Sequence, residues 1–174
     1  MTVTSVPQLA TERLILRAFH ADDFPAYAEM MADPEVTRHL GDGRPLGAAD
    51  AWRQMAMFAG HWALRGFGVW AVEERASGAF IGRIGCFQPH GWPDFELAYT
   101  LARPWWGRGY ATEGARAALA FARDVLGRDR VISIIRPGNA GSIRVAERLG
   151  AVPDGEVEFF GAPARIYVHA APAR

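Results

Sequence analysis

The run of apolar and polar positions divides this chain into short elements of alternating type. Leu14 to Phe19 reads as a strand, and Ala21-Asp22-Asp23 caps a helix running to about Met31. Asp33-Pro34 stops that helix, because the residue before a proline is pushed out of the helical region. Val36 to Ala48, with Gly41, Gly43, Pro45 and Gly47, reads as loop. Ala49 to Leu64 is apolar on a helical period. Gly68 to Glu73 and Phe80 to Phe87 read as strands joined through the hairpin signal Arg75-Ala76-Ser77-Gly78. Phe95 to Leu101 completes an antiparallel run. A helix over Ala115 to Leu126, a strand over Val131 to Ile135 and a short amphipathic helix opening at Asn139 and stopped by Gly150 follow. Two strands near Glu156 to Phe160 and Ala164 to His169 close the pattern, with a tail from Pro172. Strands and helices in this mixed order, with an antiparallel meander, make the fold α+β. With no repeat and no linker, residues 1–174 read as a single domain whose core spans about 11–169.

Composition narrows the partners. The 174 residues are enough to bury a core without metal or disulfide support. The 19 acidic residues cancel the 19 basic ones, so no general attraction to nucleic acid or to an anionic membrane is expected. No apolar run approaches the ~20 residues of a membrane span. Met1 to Ala10 lacks the basic and apolar regions of a secretory signal, so the cytoplasm is the expected compartment. Every basic residue is arginine, read here as genomic bias. Cys86 lies in an apolar strand and reads as core filler, and the five histidines show no metal-ligand spacing, so no metal is expected.

Candidate chemistry concentrates in Trp106-Gly107-Arg108-Gly109-Tyr110-Ala111-Thr112-Glu113. A strand precedes it and a helix follows. A Gly-x-Gly turn at that junction presents unpaired N–H groups at the positive end of a helix dipole, which suits phosphate. With no lysine in the chain it is not a P-loop, and Thr112 stands where a dinucleotide fingerprint has its third glycine. A turn without a ligand is the alternative, so a second motif has to decide.

That motif is Arg136-Pro137-Gly138-Asn139-Ala140-Gly141-Ser142, a strand end and turn leading into the helix that Asn139 or Ser142 caps. Together the two motifs resemble the GNAT superfamily of acyl-CoA-dependent N-acetyltransferases, whose (Gln/Arg)-x-x-Gly-x-(Gly/Ala) turn cradles the pyrophosphate of coenzyme A. Here the turn is Trp106 to Ala111, with Trp106 departing from the first position. The tryptophan version, the following Gly-Tyr-Ala-Thr-Glu, the opening Thr11-Glu12-Arg13-Leu14-Ile15-Leu16-Arg17 and Asn139-x-x-Ser142 resemble the branch of ribosomal-protein N-terminal acetyltransferases.

The resemblance implies a mostly antiparallel sheet in which the parallel strands Phe95 to Leu101 and Val131 to Ile135 splay apart at a bulge, flanked by helices. Acetyl-CoA, as co-substrate, would lie in that V. Its pantetheine would pair with the backbone near Leu101 and Ala102. The amides from Gly107 to Thr112 would hold the pyrophosphate, with Arg108 adding a charged contact. Asn139 and Ser142 would approach the pantetheine arm and the sulfur. An amine would attack the thioester directly, an N–H near Ala98 or Tyr99 would steady the oxyanion, and a base would take the proton.

Glu96 is the candidate base, or else a solvent-face glutamate; Glu158 is a further candidate. Ser142 could donate to the departing thiolate or only cap its helix. Tyr167 reads as core or groove wall. The acceptor, an amine on a peptide N-terminus or a small molecule, is expected between Val36 to Leu46, the Gly66-Phe67-Gly68 turn and the final hairpin, with Trp52, Trp62 and Trp70 near it in sequence. The protein is expected to act as a monomer or homodimer. A CoA-binding sensor without catalysis is the alternative reading.

Overall fold

A computed structural model describes residues 5–170; Met1 to Thr4 and the tail expected from Pro172 lie outside the described residues. One eight-stranded sheet runs through the molecule. Its strands are β1 (Leu9–Ala10), β2 (Leu14–Arg17), β3 (Val69–Glu74), β4 (Ala79–Phe87), β5 (Glu96–Leu101), β6 (Arg130–Ile135), β7 (Val152–Phe159) and β8 (Ala162–Ala170), in the order β1-β2-β3-β4-β5-β6-β8-β7. All neighbours are antiparallel except β5 and β6. The mixed, mostly antiparallel α+β architecture expected from the sequence is the one observed.

Among the described residues five α-helices cover the sheet: α1 (Phe24–Ala32), α2 (Pro34–Thr37), α3 (Ala48–Arg65), α4 (Tyr110–Asp124) and α5 (Ala140–Arg148). Helix α3 buries Ala51, Met55, Phe58 and Trp62, a stripe at helical spacing, and ends where Gly66 takes φ 74°. Each large side chain in that stripe contributes about 1.5–3 kcal/mol of burial. Helix α4 meets the opposite face through small residues, Gly114, Ala115, Ala118 and Ala122. A β-carbon on Gly114 would stand 2.6 Å from Ile84 Cδ1, so any larger residue there would have to push that side-chain end aside. The faces separate along β4 itself. Cys86 Sγ meets Ala118 of α4, while Arg83 and Phe87 meet Phe58 of α3.

Several elements differ from the sequence expectation. Asp33-Pro34 ends α1 but also starts α2, because the Asp33 side chain accepts the Glu35 N–H at 2.9 Å and caps it. The loop expected from Val36 therefore begins later. Helix α4 starts at Tyr110, five residues before Ala115, as the positive φ of Gly109 turns the chain directly into it. Strand β7 begins at Val152 with a register shift between Pro153 and Glu156, which suits a proline-bearing edge strand. Phe160 lies at the hairpin turn with φ 49° rather than in the strand. The two-residue β1 carried no periodic signal.

Candidate active site

The parallel pair β5–β6 is joined at Glu96 and Ile132 alone, and beyond that point the strands part. No bulge in β5 opens them. Its register with β4 is unbroken from Gly82↔Leu101 to Phe87↔Glu96. Side chains take the place of the missing rung instead. Ile132 N–H donates to Phe95 C=O at 2.9 Å, so a parallel ladder would next join Ile134 N–H to Leu97 C=O. Here Glu96 Oε1 accepts Ile134 N–H at 3.3 Å, and Ser133 Oγ donates to Leu97 C=O at 2.8 Å. The buried His169 backs Ser133, with Nε2 3.0 Å from its hydroxyl. Burial, with Arg123 nearby, pushes His169 down to about 4, so it is neutral there.

The opening forms a cleft of about 430 Å³, bordered by Tyr99 to Leu101, the turn from Trp105 to Thr112, the start of α5 and the segment Glu35 to Leu40. Gly107 (φ 74°) and Gly109 (φ 83°) both occupy backbone that side chains disfavour. The turn is braced from β2's entry. Arg13 Nη1 donates to Arg108 C=O at 2.9 Å, and its guanidinium lies 4.5 Å from the Tyr110 ring centre. Glu113 accepts from Arg13 Nε at 2.7 Å, Arg13 N–H at 2.8 Å and Thr11 Oγ1 at 2.7 Å. Burial opposes the ionised form of Glu113, yet these donors hold its carboxyl below the usual range. A carboxylate beside a phosphate cradle is thereby neutralised. Thr112 Oγ1, on the first turn of α4, is buried without a partner. An orphaned hydroxyl, two positive-φ glycines and free helix-terminal amides fit the diphosphate of coenzyme A.

Further along, the roles shift in detail. Ala102 N–H donates to Ile81 C=O at 2.9 Å, and Leu101 C=O accepts the Trp106 indole N–H at 2.7 Å. The backbone edge left open towards the cleft is therefore at Tyr99 and the Leu101 N–H. Trp106, the residue that departs from the motif, ties the turn to the end of β5. Asn139 caps α5, accepting Ser142 N–H at 3.1 Å, while Ser142 C=O accepts the Tyr99 hydroxyl at 2.9 Å. Ser142 borders the cleft. Arg108 is exposed at the turn, and Ala111 lines it.

Glu96 is buried rather than on a solvent face, and it stands behind the cleft wall. Its Oε2 accepts the Trp92 indole N–H at 2.6 Å. Burial pushes its carboxyl up to about 7 against the pull of Trp92, Ile134 N–H and Arg83. Trp92 packs edge-on against Phe87, Phe159 and Phe160, with ring centres 5.2, 4.8 and 6.0 Å away. This aromatic group escaped the sequence reading, since its members lie on three segments without shared spacing. Arg136 bonds both Gly41 C=O and Phe159 C=O, tying the loop after α2 to the last hairpin.

The other expected positions divide between core and surface, with Tyr167 and Cys86 in the core as expected. Glu158 is exposed on the edge strand β7, and Tyr167 is 4% exposed in a cluster with Ile135, Ala146 and Ala151. Trp62 and Trp70 are core, whereas Trp52 is half exposed against Phe24. The Gly66-Phe67-Gly68 turn is core as well: Phe67 is buried, and a β-carbon on Gly68 would lie 2.6 Å from the Trp62 ring. Cys86 is fully buried with its thiol pushed up to about 12 by burial.

The family model for the acetyltransferase (GNAT) domain matches residues 13–152. This chain belongs to the GNAT acetyltransferases. Among curated proteins it is 30% identical over 168 residues to the uncharacterized protein YkkB of Bacillus subtilis (strain 168), covering 92% of this chain and 94% of that one. Among solved structures it is similar to the acetyltransferase from Agrobacterium tumefaciens str. C58, with TM-score 0.87, 33% identity and 96% of each chain covered. AAC(6')-Ib in complex with ribostamycin and coenzyme A shares the fold, with TM-score 0.76, 19% identity and coverage of 91% and 94%. As a GNAT protein the chain is an acyltransferase, and acetyl-CoA is the donor its family uses.

Proposed function

We propose that this GNAT enzyme transfers the acetyl group of acetyl-CoA to a primary amine, on a protein N-terminus or a small molecule, by direct attack. The observation that carries this reading is the continuity of one cleft from the glycine turn, past Tyr99 and Ser142, to the segment after α2. A phosphate end, a backbone edge for the thioester arm and an entrance for an acceptor lie in sequence along it. The buried Cys86 thiol, un-ionised at neutral pH, leaves the acetyl group no thiolate to rest on.

In this reading Gly107, Arg108, Gly109, Tyr110, Ala111 and Thr112 hold the diphosphate, Trp106 fixes the turn, and the open edge at Tyr99 and Leu101 takes the pantetheine. Asn139 orders the start of α5, and the Ser142 hydroxyl would donate to the departing sulfur. Glu96, with a carboxyl pushed up to about 7 by burial, lies behind the wall and would take part in the proton transfer only through water and a group on the cleft wall. The Trp106 turn, the Thr11 to Arg17 opening and Asn139-x-x-Ser142 support the ribosomal-protein N-terminal branch, so N-terminal peptides lead the list of acceptors, in the cytoplasm.

The test is release of free CoA from acetyl-CoA with N-terminal peptides, simple primary amines and aminoglycosides. Release with at least one of these classes is expected. Acetyl-CoA binding without release from any amine would overturn amine transfer.

A further inference from the structure

Glu96 does not border the cleft, so the proton of the attacking amine needs a receiver on the cleft wall. We infer that His39 is that receiver, a catalytic role that rests on the amine-transfer reading above. His39 follows α2, is half-buried and borders the same cleft as Tyr99, Asn139 and Ser142. Its Cε1 lies 3.4 Å from where a β-carbon on Gly138 would stand, which sets the imidazole against the residue preceding the cap of α5.

The other histidines are placed differently. His61 is buried, with Nδ1 2.7 Å from Phe67 C=O, and His169 is sealed behind Ser133. His20 and His90 are exposed and do not border the cleft. Among the described residues no hydrogen bond holds the His39 imidazole, so a ring nitrogen is open to a proton.

Burial lowers its pKa, as do Arg38 beside it and Arg136 from the end of β6; Glu35 of α2 pulls the other way and is outweighed. Glu35 is itself paired with Arg38. Arg144 and Arg148 of α5 add positive charge along the same cleft. His39 is therefore neutral at pH 7, as an acceptor must be, whereas a free primary amine is mostly protonated there.

The step balances as follows. The ammonium gives one proton to the imidazole, which passes it to solvent, and the freed nitrogen pair attacks the thioester carbonyl. A C–N bond forms and the C–S bond breaks. The second N–H proton ends on the departing sulfur, giving amide and thiol.

The experiment measures kcat/KM for the amine against pH in His39→Ala, His39→Gln and Glu96→Gln, with acetyl-CoA affinity by calorimetry. Both His39 variants should lose roughly 10²-fold in kcat with unchanged acetyl-CoA affinity. The wild type should show an acid-side step with its midpoint below the usual 6.5 of histidine, on top of the slope from the amine itself. That step should vanish in the His39 variants and persist in Glu96→Gln. Turnover within about twofold of wild type in His39→Gln overturns the proposal. So does an acid-side step that survives without His39, or a loss of acetyl-CoA affinity matching the loss of rate. A wild type that releases CoA with no amine overturns the amine-transfer reading as a whole, whereas an active wild type with active His39 variants overturns this assignment alone.

Discussion

The two ends of the cleft are built in opposite ways. At the end proposed to hold the cofactor, eight consecutive residues, Trp106 to Glu113, form the turn, and their geometry comes from backbone: two glycines with positive φ leading straight into α4. Only the brace from Thr11 and Arg13 is distant. At the other end, where the acceptor is proposed to enter, the segment 36–40 borders the cleft. Trp92, Glu96 and the Phe159–Phe160 turn do not border it; they meet from separate segments through the Trp92–Glu96 hydrogen bond and aromatic contacts, with Arg136 tying that turn to the loop after α2. A backbone cradle tolerates few sequences and so keeps a readable motif. A side-chain wall can be built many ways, and within one fold it can differ from one enzyme to the next. The reaction class is therefore plain while the acceptor is not.

The sharpest way to break the contrast is Gly109→Val. A side chain at φ 83° is strained and would meet Arg13 Nη2, 3.4 Å from the β-carbon position, where the phosphate should reach the amides. Acetyl-CoA affinity should fall by roughly a hundredfold or more, equivalent to losing two charge-assisted hydrogen bonds of about 1.5 kcal/mol each. Calorimetry checks this, and circular dichroism should show the fold retained. An unchanged affinity in a folded variant would remove the turn from the binding site.

Glu96 tests the border between the two ends through stability. Its folded pKa is raised from 4.5 to about 7 by burial, so its favourable contribution is complete below the unfolded value and is lost as pH rises through about 7. Relative to Glu96→Gln, the wild type should lose up to roughly 3 kcal/mol between about pH 4 and pH 8, read by urea unfolding. Parallel stability curves for the two proteins would show that Glu96 is solvated.

The smallest effect is expected at Phe160, 56% exposed and in edge contact with Phe159 at 4.7 Å. Phe160→Ala should raise KM for the acceptor about two- to tenfold, the scale of one aromatic pair, and leave KM for acetyl-CoA unchanged. A shift in the acetyl-CoA value instead would join the two ends that the structure separates.

How much was legible follows the same division. The positions of Gly107, Gly109, Asn139 and Ser142 on the cleft were readable, because turns and caps depend on residues within a few positions of one another. Val36 to Leu46 was expected beside the groove, but His39 was not singled out within it, and Trp92 as the partner of Glu96 was not readable, since nothing in local spacing connects them. The open backbone edge lies at Tyr99 and the Leu101 N–H rather than at Leu101 and Ala102, for a comparable reason. Only the sheet register shows that Ala102 N–H faces β4, and only the folded turn shows Trp106 reaching Leu101 C=O.

The sequence by itself determined the element order, the α+β class, the glycine turn into α4 and the capped start of α5, since all of these are written in hydrophobic period and local backbone preference. The tertiary structure alone decided how β5 and β6 part. A bulge was the expected cause, yet the strands separate because Glu96 and Ser133 take up the hydrogen bonds of the missing rung. Such a substitution needs two residues from distant strands, a histidine behind one and an indole against the other, and their meeting is a matter of packing that no stretch of sequence holds.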